Sequence, residues 1–171
     1  LIGSEDPQCD PQEWIADPDD YNNQITESQW KAQVYRCARR IPDLKNELLL
    51  SMYRKMVLCR YLDERIWTLN RQGKAAIVAS CQGHEAAQIG SVYALVKGTD
   101  VFYIYYRDLA VLLSLGMTPK EVMLGFLAKS GEPLSGARQF PTHGAYPNLG
   151  IINISNVVGT QIPHAVGSAL A

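Results

Sequence analysis

Hydrophobic side chains recur at helical spacing over residues 44–73, and charged side chains fall largely between them. Positions three and four residues apart share one face of an α-helix, so the pattern predicts a single long amphipathic helix that ends near Gly73. Basic residues such as Lys45, Arg54 and Arg65 lie mostly off the apolar face. The apolar positions are Leu44, Leu48, Leu49, Met52, Tyr53, Met56, Val57, Leu62, Ile66 and Trp67.

Shorter segments of both kinds follow this helix. A second helix is predicted over residues 85–96, before Gly98. Residues 101–106 are all apolar or aromatic, which is typical of a strand buried on both faces in a parallel sheet. Residues 151–154 predict another short strand.

The clearest helix start lies at Thr118, where a capping residue precedes Pro119 and the capping-box acid Glu121. It predicts a helix over residues 119–129. A short helix is also expected over 108–116, and an Ala- and Gly-rich helix after Pro163. Alternating helices and strands indicate an α/β fold class, with a parallel sheet flanked by helices.

Composition narrows the class of protein. The chain has 171 residues, of which 47% are hydrophobic and 19% charged, and its formal net charge is −1. This balance argues against disorder and against nucleic-acid binding, which needs a surplus of basic side chains. Four widely spaced cysteines without a CxxC pair argue against a zinc site and favour a reducing, cytoplasmic compartment. The longest uncharged segment contains too many prolines and polar residues to span a membrane.

The first 43 residues differ from the remainder. Residues 1–30 contain eight acidic side chains and no Lys or Arg, and several prolines interrupt the segment. We interpret residues 1–43 as an acidic N-terminal arm with one short helix over 28–39, and residues 44–171 as an α/β domain. The arm either contacts a basic surface or remains a solvated terminus. Because Ala171 lies within a helical pattern, we expect this domain to be incomplete at the C-terminus.

Two polar segments adjoin predicted elements. Tyr106 ends the predicted aromatic strand and Arg107 follows it, and ligands gather at the carboxyl ends of parallel strands. An arginine beside a phenol can bind an anion such as a diphosphate, although Arg107 can equally form a surface ion pair with Asp108. His84 and Glu85 stand at a helix entrance, where they are either an acid–base pair or simply complement the helix dipole.

Two further segments are rich in small and polar residues. The loop over residues 136–144 contains one cation, Arg138, and one imidazole, His143, and it is either a functional loop or a plain connection. Residues 155–163 carry hydroxyl, amide and carbonyl oxygens without charged side chains. Such oxygens suit a monovalent cation or a neutral heterocycle, but they also satisfy the backbone of an ordinary turn.

Taken in order, these motifs resemble the alpha subunit of the thiamine-diphosphate-dependent 2-oxoacid dehydrogenases, their decarboxylating component. The resemblance covers residues 44–171, and the last two motifs are closer to the branched-chain members than to the pyruvate members. The motifs are L-D-E-R at 62–65, G-H-E-A at 83–86, Y-Y-R at 105–107, G-A-R-Q-F-P-T-H at 136–143 and V-G-T-Q-I-P at 158–163.

The resemblance implies a thiamine-diphosphate-binding fold and assigns individual roles. Tyr106 and Arg107 match residues on the cofactor diphosphate, and Asn156 and Val158 match residues around its pyrimidine end. His143 matches a family histidine near the active site and is the predicted catalytic residue.

Metal sites are also implied by the resemblance. In branched-chain relatives a potassium ion is bound by positions that match Ser155, Val157, Thr160 and Gln161, with Val157 acting through its carbonyl group. The magnesium ligands of the family are expected beyond Ala171.

The resemblance implies that this chain is part of an alpha subunit. The whole enzyme oxidatively decarboxylates a 2-oxoacid, with a branched-chain acid favoured over pyruvate, and transfers the acyl group to lipoamide. Its expected partners are a beta subunit, in an alpha2beta2 heterotetramer, and a lipoyl-bearing acyltransferase component. We expect a cytoplasmic location, or the mitochondrial matrix in a eukaryote. Two alternatives stay open: a catalytically silent assembly module derived from that subunit, and a hydrolase that uses His84 and Glu85.

Overall fold

The computed structural model describes residues 44–171, so the predicted arm over residues 1–43 and its helix lie outside the described residues. Five α-helices, two strands and one short 3-10 helix follow one another along the described part of the chain. They are α1 (Asn46–Arg71), α2 (Glu85–Tyr93), α3 (Leu109–Leu115), α4 (Pro119–Phe126), β1 (Gly144–Tyr146), the 3-10 helix (Pro147–Leu149), β2 (Ile151–Ile154) and α5 (Gln161–Leu170).

The long helix α1 confirms the prediction, but its buried face is narrower than the apolar pattern suggested. Its buried residues are Cys59, Leu62, Asp63, Ile66 and Leu69. Of the predicted apolar positions, Tyr53 is 61% exposed and Trp67 is 39% exposed. Apolar residues extend around more of this helix than the core covers, and periodicity alone does not tell which sector the neighbouring elements bury.

The core is centred on α3, in which all seven residues are buried. Such a helix must satisfy its terminal backbone groups with side chains from elsewhere, because water does not reach them. At its C-terminal end, Lys55 Nζ of α1 donates to the Leu113 carbonyl at 2.9 Å, and Lys97 donates to the Ser114 carbonyl. Both lysines therefore place positive charge at the negative end of the helix.

The prediction that residues 101–106 form a strand buried on both faces is wrong. Only Phe102 forms a bridge, which is parallel to Ile151. Phe102 N donates to the Gly150 carbonyl at 2.8 Å, and Ile152 N donates to the Phe102 carbonyl at 3.2 Å. Phe102 and Ile104 are buried whereas Val101 is 53% exposed, so only one face packs on the core.

The sheet of the described residues is small and antiparallel. It contains β1 and β2, paired through Gly144 with Ile154 and Tyr146 with Ile151. The sequence predicted β2 but missed β1, because its three residues lie in a glycine-rich loop and show no alternation. The one parallel bridge, between Phe102 and Ile151, accounts for only part of the predicted parallel sheet. The complete thiamine-diphosphate-binding fold therefore stays a prediction.

Gly144 allows this loop to pack closely. Its φ is +123°, and a Cβ atom at this position would collide with the Leu134 carbonyl group. The next residue, Ala145, donates its N–H to that same carbonyl at 3.1 Å. A side chain here would therefore push β1 away from the segment that holds Leu134.

The final helix, α5, begins at Gln161 rather than after Pro163, so the proline lies in its first turn. Proline is tolerated there because the first-turn N–H groups have no partner within the helix. None of its residues is buried among the described residues. No helix between residues 44 and 171 combines the length and the apolar character needed to cross a membrane.

We expect Thr118→Ala to lower the free energy of unfolding by about 1 kcal/mol, because it removes the capping box at the start of α4. Glu121 N donates to Thr118 Oγ1 at 3.2 Å, and Thr118 N donates to Glu121 Oε2 at 2.7 Å. Urea denaturation measures the change. Thr118→Ser retains the hydroxyl group and should stay close to the wild type, and an equal loss in both variants would contradict the capping role.

Candidate functional site

Three predicted site residues from three separate segments meet in the structure. The rings of Tyr106 and His143 are stacked, with centroids 5.5 Å apart and planes inclined by 14°. His143 Nε2 lies 2.9 Å from the side-chain oxygen of Asn156. Tyr106 and Asn156, predicted at opposite ends of one cofactor, are thus joined through His143.

The hydrogen bonds of His143 place a proton on Nδ1. This nitrogen lies 2.9 Å from the Pro141 carbonyl, which can only accept. The other ring nitrogen, Nε2, faces the side-chain amide of Asn156. The ring is buried and both nitrogens are used. His143 therefore holds Tyr106 and Asn156 in place, and its predicted catalytic role stays a prediction.

Arg107 has donors left for an anion. Its guanidinium carbon lies 5.4 Å from the centroid of the Tyr106 ring, and Nη1 donates to the Ser80 carbonyl at 3.4 Å. No carboxylate pairs with it among residues 44–171. The alternative ion pair with Asp108 is not formed among these residues, and Asp108 Oδ2 instead accepts from Tyr105 N at 2.8 Å.

A hydrogen-bonded pair of side chains, Asp63 and Ser80, holds the residue whose carbonyl accepts from Arg107. Asp63 of α1 is buried and accepts from Ser80 Oγ at 2.7 Å, while the Ser80 carbonyl accepts from Arg107. Sequence reasoning missed Asp63 because it appeared as one more charge in L-D-E-R. Its position between Leu62 and Ile66 on the apolar face was the available signal.

Three of the predicted potassium ligands lie in the turn before α5, and the fourth lies at the start of that helix. Val157 N donates to Ser155 Oγ at 3.1 Å, and Thr160 Oγ1 donates to the Val157 carbonyl at 2.9 Å. Three of the four predicted oxygen ligands are therefore local neighbours, and Gln161 follows as the first residue of α5. Val158, predicted at the pyrimidine end, is 70% exposed.

A cleft of about 660 Å³ lies beside His143 and Asn156. Phe126 and Phe140 give it apolar walls, and Arg138 is the cationic side chain that lines it. The Phe140 ring meets the His143 ring edge-on at 6.2 Å, and Arg138 Nε donates to the Ser135 carbonyl at 2.8 Å. Phe140 was not singled out from the sequence, since one aromatic residue in a loop carries no specific signal.

The G-H-E-A segment does not form an acid–base pair. Glu85 is buried and its two carboxylate oxygens accept from Arg60 Nε at 2.7 Å and from Gly83 N at 2.8 Å. Burial alone would raise the pKa of Glu85, but these bonds outweigh it and lower the pKa below its ordinary value. His84 is exposed, so the hydrolase alternative has no support in this geometry.

The described part of the chain does not test where the predicted magnesium ligands lie. Between residues 44 and 171, no group of three or more His, Cys, Asp or Glu side chains is arranged to hold a metal ion. The expectation that the magnesium ligands lie beyond Ala171 stays a prediction.

The sequence profile of the family described as Dehydrogenase E1 component matches residues 53–171. The match covers more than half of the chain, and the protein therefore belongs to this family.

Three curated relatives specify the type of dehydrogenase to which the chain is similar. It is 48% identical to the alpha subunit of 2-oxoisovalerate dehydrogenase from Bacillus subtilis, over 75% of this chain and 39% of that protein. It is 38% identical to the alpha subunit of 3-methyl-2-oxobutanoate dehydrogenase from Mycobacterium tuberculosis, over 75% and 32%. The human mitochondrial 2-oxoisovalerate dehydrogenase alpha subunit is 32% identical, over 76% and 29%. The chain spans about two fifths or less of the length of these relatives.

The Arg60–Glu85 pair predicts a dependence of stability on pH. Because the pKa of Glu85 is lowered in the folded chain, the unfolded chain binds more protons, and stability rises with pH. The ionised Glu85 contributes its full stabilisation above the ordinary pKa of 4.5. This stabilisation is lost as the pH falls through the lowered pKa of the folded chain. We expect Glu85→Gln to reduce this loss, measured by urea denaturation between about pH 3 and pH 7.

Two further variants separate the ion pair from general charge effects. Arg60→Met should also reduce the loss of stability at low pH, whereas Arg65→Met changes an exposed cation of the same helix and should not. An equal effect of both arginine variants would contradict the assignment to the Arg60–Glu85 pair.

Proposed function

We propose that this chain is part of the alpha subunit of a thiamine-diphosphate-dependent branched-chain 2-oxoacid dehydrogenase. The assembled enzyme oxidatively decarboxylates a branched-chain 2-oxoacid and transfers the acyl group to lipoamide. The observation that carries the proposal is the contact from Tyr106 through His143 to Asn156, with Arg107 beside it. The family is thiamine-diphosphate-dependent, and the relatives named above are branched-chain alpha subunits.

The donor groups of the site fit this cofactor. Arg107 offers a guanidinium group without a carboxylate partner among the described residues, and Tyr106 offers a phenol, which together suit a diphosphate. Asn156 offers an amide that suits a polar heterocycle, and Val158, two residues further on, offers an exposed apolar side chain. When bound, thiamine diphosphate supplies the electron sink that allows a 2-oxoacid to lose carbon dioxide. The residues of this chain bind and orient it.

The cleft beside His143 suits the substrate. A 2-oxoacid has a carboxylate, which Arg138 can attract, and a branched-chain acid has an apolar tail, which Phe126 and Phe140 can cover. These apolar walls favour a branched-chain acid over pyruvate, in agreement with the names of the relatives.

The remaining components follow from the same assignment. The beta subunit completes the site in an alpha2beta2 heterotetramer, and a lipoyl-bearing acyltransferase accepts the acyl group. The magnesium ligands are expected beyond Ala171 of the alpha subunit. Relatives occur both in bacteria and in mitochondria, and the absence of a CxxC pair or clustered cysteines favours the cytoplasm here.

A catalytically silent assembly module is the second candidate. The exposed aromatic side chains of α1 favour it, since Tyr53 and Tyr61 are 61% and 69% exposed in the described part of the chain. The two candidates differ in one assay: the complete alpha subunit with its beta subunit turns over a 2-oxoacid in the presence of thiamine diphosphate and magnesium only if the first candidate holds.

Arg107→Ala should weaken thiamine diphosphate binding by about ten-fold or more in the complete assembly, because it removes a charged hydrogen-bond donor to the diphosphate. Titration calorimetry with magnesium present measures the dissociation constant. Arg107→Lys keeps the positive charge but loses the planar pair of donors, so its loss should be smaller. An unchanged affinity in Arg107→Ala would remove Arg107 from the cofactor site.

The turn at residues 155–161 should bind potassium. We expect the complete assembly to unfold at a higher temperature in potassium chloride than in sodium chloride at equal ionic strength, because a bound ion stabilises the folded state. Thr160→Val removes one oxygen ligand with little change in shape and should reduce this difference, whereas Thr160→Ser should preserve it. The same difference in Thr160→Val as in the wild type would contradict the potassium site.

A further inference from the structure

The backbone of the segment that carries Tyr106 and Arg107 is held by a buried glutamine of α2. Gln88 Nε2 donates to the Arg107 carbonyl at 3.1 Å, and Gln88 Oε1 accepts from Ala110 N at 3.1 Å. The Gln88 side chain is buried, and one amide therefore bonds both sides of the turn that leads into α3.

A second buried side chain holds the neighbouring carbonyl. Thr142 Oγ1 donates to the Tyr106 carbonyl at 2.7 Å. The same hydroxyl also lies 2.5 Å from the Pro141 carbonyl, so it has two possible acceptors. Thr142 adopts a φ of +62°, which is unfavourable for a β-branched residue, and the surrounding contacts must offset this cost.

The carbonyls of Tyr106 and Arg107 are thus each fixed by a buried side chain from a different part of the chain. A glutamine suits its position because it offers a donor and an acceptor together, whereas a carboxylate lacks the donor. Since the direction of a side chain follows from its backbone, these bonds set where the phenol and the guanidinium group point. Among residues 44–171, no carboxylate pairs with Arg107, which leaves most of its guanidinium donors for a ligand.

We propose that Gln88 and Thr142 are positioning residues that aim Tyr106 and Arg107 at the diphosphate of the cofactor. This inference rests on the proposed function, in which those two residues bind the diphosphate. Loss of either bond leaves a partly buried carbonyl without this partner and frees the backbone to move. A displacement of this kind weakens binding without removing any group that contacts the cofactor.

The test compares matched variants in the complete alpha subunit assembled with its beta subunit. Gln88→Met removes both bonds of the amide, and Thr142→Val removes the hydroxyl group while keeping the shape. We expect each to raise the dissociation constant of thiamine diphosphate by about ten-fold in titration calorimetry with magnesium present. Thr142→Ser retains the hydroxyl and should bind like the wild type.

Two readouts distinguish positioning from a structural role. At saturating thiamine diphosphate, kcat should stay within roughly two-fold of the wild type, since the groups that contact the cofactor are still present. Val92→Ala creates a cavity in the same helix as Gln88, so it should lower the unfolding temperature and leave the dissociation constant unchanged.

Arg107→Ala is measured in parallel, so that the two assignments can fail separately. If Arg107→Ala weakens binding while Gln88→Met and Thr142→Val bind like the wild type, the positioning roles are overturned and the proposed function stands. If Val92→Ala weakens binding as much as they do, general loosening explains the effect and the inference is also overturned. If Arg107→Ala has no effect, the proposed function itself fails. Should Gln88→Met not assemble, Thr142→Val carries the test, with Thr142→Ser as its matched control.

Discussion

The site depends on the contact between two rings, those of Tyr106 and His143. Tyr106 follows the aromatic segment that bridges to β2, and His143 immediately precedes β1, so their stacking connects two distant parts of the chain. The hydrogen bond from His143 to Asn156 then brings in the turn before α5. An aromatic pair gains from burial and from its ring geometry together. Here it adds to the backbone pairing of β1 with β2, which brings His143 close to Asn156.

Buried polar contacts from α1 fix the segment on which the cationic part of the site rests. Asp63 bonds to Ser80, Arg60 to Glu85, and Cys59 lies against Cys81 with the sulfur atoms 3.3 Å apart. The shared hydrogen bond, burial and nearby carboxylates raise the pKa of Cys59, which keeps this thiol protonated and unreactive. Each contact satisfies a group that would be costly to bury alone, so one helix face determines the path of residues 80–85.

Prediction from sequence succeeded where local signals are strong. The capping box at Thr118 and the long periodicity of α1 depend on residues within a few turns of one another, and both helices form where expected. The run over residues 101–106 misled because its uniform apolar character predicts burial on both sides, whereas the described residues cover one face. Asp63 and Gln88 escaped notice for a related reason: a polar residue within a helix shows its importance only when its distant partner is known.

The helices, the similarity to the family and the candidates Tyr106, Arg107, His143 and Asn156 could all be predicted from local spacing and from the order of the motifs. Three features required the three-dimensional packing: the contacts of His143 with Tyr106 and Asn156, the pairing of Glu85 with Arg60 rather than His84, and the lack of a carboxylate partner for Arg107 among residues 44–171. Local structure follows from interactions between near neighbours, whereas the pairing of a side chain with a distant partner depends on how the whole core packs.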